Sequence, residues 1–205
     1  MATFGSDSPS SGRNFYVGEN PYVSGQMAGE MAAKMSGGQG NFVVFQGSTN
    51  VYAFNQRTRG FADVLKNEYP RLKLLPGIEH NDDDTAAIRG AIRMFNDGKR
   101  PDGVFCNTAT GTVAMYRAMQ YLDLPAAETP IVIGYDLNQE IYQMLQQDRC
   151  HVTIYQNPFM QAYDVVNYMF EYITHSVIPP KARNYVPVHV VFKHNAEMYL
   201  ADTSH

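Results

Sequence analysis

Five side chains able to grip a polar molecule fall at the same kind of place in the chain, just beyond an apolar run or at the start of a helix. Asn107 and Thr108 follow Gly103-Val104-Phe105-Cys106, and Asp136 closes the run Pro130-Ile131-Val132-Ile133-Gly134-Tyr135. Gln156 follows Val152-Thr153-Ile154-Tyr155, and Arg57 lies in the first turns of a helical stretch that begins near Tyr52. Carboxylate, amide, hydroxyl and guanidinium groups accept from and donate to sugar hydroxyls, and Tyr52, Phe54, Tyr155 and Phe159 supply aromatic faces for a sugar ring. Nothing in the set is a nucleophile paired with a base, so the chemistry it suits is recognition of a polyol. A second role stands open for each residue: a polar side chain after a strand also caps the next helix, and Asp136 fits either role. Their common location at strand ends is what argues for one site.

Motifs for other chemistry are missing. No Gly-x-Ser-x-Gly string marks a nucleophile elbow. Gly47-Ser48-Thr49 lacks the Lys and spacing of a phosphate-binding loop, and Gly37-Gly38-Gln39-Gly40 precedes a strand instead of following one. No cofactor is therefore expected. The six histidines include no His-x-x-x-His pair and none has zinc spacing to a Cys, so no metal is expected. His80-Asn81-Asp82-Asp83-Asp84 lacks the alternating ligands of a calcium loop and suits a solvated turn that caps the next helix. A remaining catalytic reading is an enzyme using Asp136 and His80 as acid and base. Cys106 and Cys150 give no disulfide framework and read as reduced structural residues.

The elements that must hold these groups alternate. Ala2-Thr3-Phe4 and Phe15-Tyr16-Val17 are short strands, and Pro21 starts a helix with Val23, Met27, Met31 and Met35 at four-residue spacing facing a core. Strands at 42–45, 72–78, 103–106, 131–133 and 152–155 then alternate with helices at 52–69, 84–95, 112–122, 138–147 and 159–173. Such βαβ units imply an α/β protein built on parallel sheets with right-handed crossovers. Tyr185 to Phe192 forms a last strand, with Pro187 suited to an edge, that returns to the same sheet. In open α/β sheets, ligands sit outside the carboxyl ends of the strands, where the five polar groups fall.

Composition sets outer limits. The 205 residues are 44% hydrophobic, enough for a core, and the net charge of −4 with no Lys/Arg cluster lacks the footprint of a nucleic-acid binder. No apolar run reaches membrane-spanning length, and Met1–Arg13 is polar without an apolar signal core, so a cytoplasmic location with no membrane contact is expected.

Five segments in order resemble the effector-binding domains of lactose-repressor (LacI/GalR) type transcription regulators and the related periplasmic sugar-binding proteins. These are Asn20-Pro21-Tyr22-Val23-Ser24-Gly25-Gln26-Met27-Ala28-Gly29, Arg57-Thr58-Arg59-Gly60-Phe61, Pro101 to Thr108, Ile133-Gly134-Tyr135-Asp136, and Val152 to Pro158. The resemblance implies two Rossmann-like lobes joined by three crossings at a hinge, the first lobe partial and the second nearly complete. It divides the chain into 1–38 as part of the first lobe, 39–156 as the second lobe, 157–176 as a helix returning to the first, and 177–205 as a strand and tail of the second. Carried over residue by residue, it implies ligand contacts from Arg57, Asp136 and Gln156, from Asn107 and Thr108 with a departure from the family pattern at Thr108-Ala109, and from Asp83 and Ser6 in cleft-facing loops. The function implied is binding of a sugar effector by a regulator that reaches DNA only through a helix-turn-helix head absent from this chain. Such regulators pair as homodimers, for which Tyr116 and Tyr142 offer apolar groups. The alternative is the solute-binding protein of a sugar ABC transporter.

Overall fold

The computed structural model describes residues 1–97, 100–179 and 181–200. Strands β1 (Ala2–Phe4) and β2 (Phe15–Gly18) lead into helix α1 (Pro21–Ser36). There follow β3 (Gly40–Gln46), α2 (Tyr52–Glu68), β4 (Leu72–Leu74), β5 (Ile78–Glu79), α3 (Asp84–Asn96), β6 (Gly103–Cys106), α4 (Ala109–Tyr121), β7 (Ile131–Tyr135), α5 (Gln139–Gln146) and β8 (Val152–Tyr155). Helix α6 (Pro158–His175), β9 (Arg183–Tyr185), β10 (His189–Val191) and α7 (Ala196–Leu200) complete the described chain.

Two sheets result. The larger has the order β10-β8-β7-β6-β3-β4, with β5 also beside β3; all its pairings are parallel except β10 on β8. Strands buried on both faces need apolar residues at every position, and β6 and β7 provide them. Side chains alternate, so Val43 and Phe45 face a layer with α3, α4 and α5, while Phe42 and Val44 face α1 and α2. The smaller sheet, β1-β2-β9, is parallel and is covered on one face by α6 through Phe15, Val17 and Val165. The chain crosses between the sheets three times: at Gly18–Pro21, at Gln156–Pro158 and at Val186–Val188.

The sequence-based expectations for the lobes and the tail differ from the structure at two points. Residues 1–38 do not stay together, because α1 lies beyond the first crossing and packs on the larger sheet through Ala28, Ala32 and Ala33. The expected strand Tyr185–Phe192 is two strands: β9 pairs with β2 in the small sheet and β10 pairs with β8 in the large one. Pro187, which has no N–H to donate, sits between them at the crossing. Of the tail 177–205, residues 201–205 lie outside the described residues.

The methionine stripe expected to bury α1 does so only in part: Met31 and Met35 pack half-buried against the core. Val23 is 43% exposed, and the buried face is Ser24, Gly25, Ala28, Gly29, Ala32 and Ala33. Small residues let α2 approach closely: a Cβ on Gly25 would lie 2.1 Å from the Arg57 carbonyl oxygen, and one on Gly60 would lie 2.1 Å from that of Tyr22. Tyr116 is likewise unavailable as an interface residue, being buried with its hydroxyl donating to Gln147 Oε1 at 2.8 Å, and Tyr142 packs against the same core.

Candidate ligand-binding site

Asp136 follows β7 in a left-handed conformation, φ +64°. It does not cap α5, because Asn138 does, its Oδ1 accepting from Ile141 N at 2.9 Å. Freed from that role, the Asp136 carboxylate accepts from Gln156 Nε2 at 2.7 Å. Gln156 Oε1 accepts in turn from Arg57 Nη2 at 3.3 Å. Arg57 also donates to the Asn107 carbonyl oxygen at 2.9 Å and to Glu19 Oε1 at 2.7 Å, and its guanidinium lies 3.7 Å from the centroid of the Tyr135 ring. A hydrogen-bonded run Glu19–Arg57–Gln156–Asp136 therefore joins the first crossing, α2, the second crossing and the end of β7.

The electrostatics of this run follow from burial. Burial by itself disfavours the Arg57 cation, but Glu19, Tyr135 and Asp136 around it reverse the effect and hold its pKa above the usual value. Burial raises the Asp136 pKa, against the pull of Arg57 and of the Gln156 hydrogen bond. Glu19 is fully buried; one oxygen serves Arg57 and the other accepts from the Tyr135 hydroxyl, which also bonds Ser24 Oγ at 3.0 Å. Burial drives the Tyr135 phenol well above its ordinary pKa, so it stays a neutral donor.

Beside the run lies a cavity of about 240 Å³ between the lobes. Gly5 and Ser6 line it from the small-sheet side; Phe54, Arg57, Asp82, Thr108, Ala109, Asp136 and Gln156 line it from the hinge and the large sheet. A more open cavity of about 690 Å³ touches Gly40, Asn41, Asp102 and Ile131. It is at the amino ends of the strands, whereas ligands of open α/β sheets bind at the carboxyl ends, so the smaller cavity is the candidate.

Of the residues singled out in the sequence, Arg57, Asp136, Gln156, Thr108 and Ser6 meet at this cavity. The Thr108 hydroxyl also caps α4, accepting from Gly111 N at 3.0 Å, and Ser6 Oγ accepts from Ala53 N at 3.4 Å across the lobes. Two assignments are corrected. Asn107 is fully buried and consumed internally, its Oδ1 accepting from Gly47 N and its Nδ2 donating to Phe54 O and Thr58 Oγ1, so it positions the walls instead of facing a ligand. Asp83 caps α3, accepting from Ala86 N at 2.7 Å; consecutive left-handed residues Asn81 and Asp82 turn the chain so that Asp82 lines the cavity in its place. Among the aromatics, Phe54 alone lines this cavity: Tyr52 faces a neighbouring one, Tyr155 is buried in the core and Phe159 is exposed. His80 is buried against Phe45, centroids 4.9 Å apart, and is not among the lining residues, so the geometry does not support an Asp136–His80 acid–base pair.

Glu19 and Asp82 escaped the sequence reading. The signal for Glu19 was a lone carboxylate between the buried strand Phe15–Gly18 and the helix-starting Pro21, where a charge needs a partner.

Two parallel-sheet lobes with three crossings and a polar cavity at the hinge define a class of ligand-binding protein. The model of the periplasmic binding protein domain matches residues 1–176, and the chain belongs to that family. It is similar to the D-apiose import binding protein of Paraburkholderia graminis, 23% identical over 157 residues, 75% of this chain and 48% of that protein. The chain thus spans about half the length of this curated relative. A solute-binding protein of Burkholderia graminis solved with D-arabinose superposes with a TM-score of 0.90 at 23% identity, covering 97% of this chain and 68% of that one. The arabinose-binding protein of Geobacillus stearothermophilus gives a TM-score of 0.83 at 22% identity over 97% and 69%.

Proposed function

We propose that this chain binds a single sugar at the hinge cavity without transforming it, as the solute-binding component of sugar uptake. The observation that carries this reading is the run Arg57–Gln156–Asp136 along a small cavity between lobes, with the Phe54 ring and Ser6 beside it. Donors and acceptors held in a chain match the alternating donor and acceptor hydroxyls of a sugar, and the cavity suits one ring better than a drug-sized molecule. A ligand touching both lobes favours the arrangement in which both contacts are made, so binding biases the lobes toward closure.

The relatives support transport over the regulator expected from the sequence, since the similar proteins described are an import binding protein and solute-binding proteins. Regulation by a homodimer with a DNA-binding head stays as the second reading, resting on the resemblance of the five sequence segments to the effector-binding domains of regulators.

Calorimetry against D-arabinose, D-apiose, D-allose and D-galactose tests sugar binding. One or more should give saturable heat, and Asp136→Ala should weaken it by roughly 1 to 3 kcal/mol, the range for losing a buried hydrogen-bonding partner. Asp83→Ala should leave affinity unchanged. Silence across the panel, or equal affinity in Asp136→Ala, removes the site. Reading the gene upstream separates the two roles: an export leader beside a permease gene supports uptake, and a helix-turn-helix supports regulation.

A further inference from the structure

His80 is a buried ionisable group outside the hydrogen-bonded run at the hinge. It is 1% exposed, and neither ring nitrogen has a hydrogen-bond partner among the described residues. Its ring stacks on Phe45 of β3, centroids 4.9 Å apart, and turns Nε2 toward the first turn of α4. A Cβ on Gly111 would stand 2.9 Å from that nitrogen and 3.3 Å from Thr108 Oγ1. The same turn is a wall of the hinge cavity: Thr108, Ala109 and Thr110 line it, and Thr108 Oγ1 accepts from Gly111 N at 3.0 Å.

The backbone of His80 holds a second wall. Its N–H donates to Gln46 O at 2.9 Å and its carbonyl accepts from Asp83 N at 3.0 Å. These bonds close a loop in which Asn81 and Asp82 both take left-handed φ, +55° and +58°. Two such residues in a row are costly away from glycine and persist only while their surroundings hold them. Asp82 reaches the cavity from that loop. One residue therefore backs two walls, the Asp82 loop and the α4 turn.

A neutral ring suits this position and a charged one does not. A buried imidazolium would carry two N–H donors without an acceptor and would face the positive, amino-terminal end of α4. The acids around it are Glu79 on β5, Asp82 and Asp83 in the loop, and Asp84 at the start of α3. Glu79 is engaged by Thr49 N at 2.6 Å and Asp83 by Ala86 N at 2.7 Å, while β3 and α4 present Phe45 and Gly111, which do not ionise. Burial outweighs these acids and lowers the His80 pKa.

We propose that His80 is a positioning residue that makes binding at the hinge cavity proton-sensitive: ligand binds the form in which the ring is neutral and buried, and protonation releases the 80–83 loop. This rests on the sugar-binding reading above. Sugar and proton then oppose each other by the same factor. Affinity is full above about pH 6.5 and falls as pH drops through the lowered His80 value, and binding in that range expels a proton into the buffer.

The test is calorimetry of the whole chain at pH 7.5 and 5.0 with whichever of D-arabinose, D-apiose, D-allose and D-galactose gives saturable heat at pH 7.5. Affinity should fall by about fivefold or more at pH 5.0, and heats at pH 6 in buffers of different ionisation enthalpy should report proton release. In the ligand-free chain, exchange protection of the Asp83 and Gly111 N–H groups, corrected for intrinsic pH dependence, should drop by about fivefold or more over the same range. His80→Phe, with His80→Leu as a second neutral replacement, should bring the ratio of the two affinities to within about twofold of one. His151→Gln, just ahead of β8 at the opposite end of the sheet, should leave the ratio as it is. A fall in affinity that survives both His80 replacements belongs to Asp136, whose pKa burial raises, and overturns the proposal. Equal affinity of the unaltered chain at the two pH values overturns it too. Silence of all four sugars overturns the sugar reading; unchanged exchange of the loop then overturns this proposal as well.

Discussion

Glu19 and Arg57 are a buried ion pair whose remaining valences are filled by Tyr135, Asn107 and Gln156, the condition under which such a pair is tolerated. Removing one partner leaves an uncompensated charge, so Glu19→Ala should lower unfolding free energy by about 3 to 5 kcal/mol. Glu19→Ala combined with Arg57→Met should cost less than the two single changes summed, which denaturant titration of the four proteins will measure. His80 makes a second prediction. Neither of its ring nitrogens has a hydrogen-bond partner among the described residues, and burial holds its pKa below the usual 6.5 despite the nearby acids Asp82, Glu79, Asp83 and Asp84. The unfolded chain then binds this proton at a higher pH than the folded one. Stability should therefore fall as pH drops below about 6.5 toward the lower folded value. His151 is shifted the same way by burial, so His80→Phe should flatten the urea-midpoint profile between pH 7.5 and 5 without abolishing its slope.

The pairing of α1 with α2 sets where Arg57 stands. Gly25 and Gly60 each meet backbone of the opposite helix, with no side chain that could yield. Gly60→Ala must push the helices apart, at about 3 kcal/mol, the upper part of the usual overpacking range. Because Arg57 rides on α2, the same change should reduce sugar affinity as well as the melting temperature. Much of this architecture was legible in the sequence, since buried parallel strands from Phe42 onward are apolar at nearly every position and their helices carry recognisable stops. Arg57, Asp136 and Gln156 were legible for a related reason: strand ends and first turns are where such sheets deliver side chains. The packing of α1 was hidden, because methionine outranks glycine in hydrophobicity while glycine is what close approach requires. Asp83 was mistaken for Asp82 because a two-residue left-handed turn is decided by φ values that neighbouring aspartates do not distinguish. Asn107 was misplaced because a strand end looks alike whether its amide turns outward or in.

At the scale of the molecule, the hydrogen-bonded run meets the first two crossings, whereas Ser6 stands on the far lobe. Ligand held by both should tie the lobes into one cooperative unit. A sugar at a hundred times its dissociation constant should add about 2.7 kcal/mol to stability, read as a rise in melting temperature, and the Asp136→Ala protein should gain much less at the same concentration. The small lobe is held by a compact ionic knot in which Asp7 accepts from both Arg13 and Arg183, so the amino-terminal loop and β9 should unfold together. The contact between the two glycines and the facing backbone reaches further than local packing. In an exhaustive substitution library selected for sugar capture, Gly25 and Gly60 should score among the most intolerant sites although neither touches the cavity. Part of the information for the proposed site is written as two absent methyl groups, invisible to any search confined to residues within reach of the ligand.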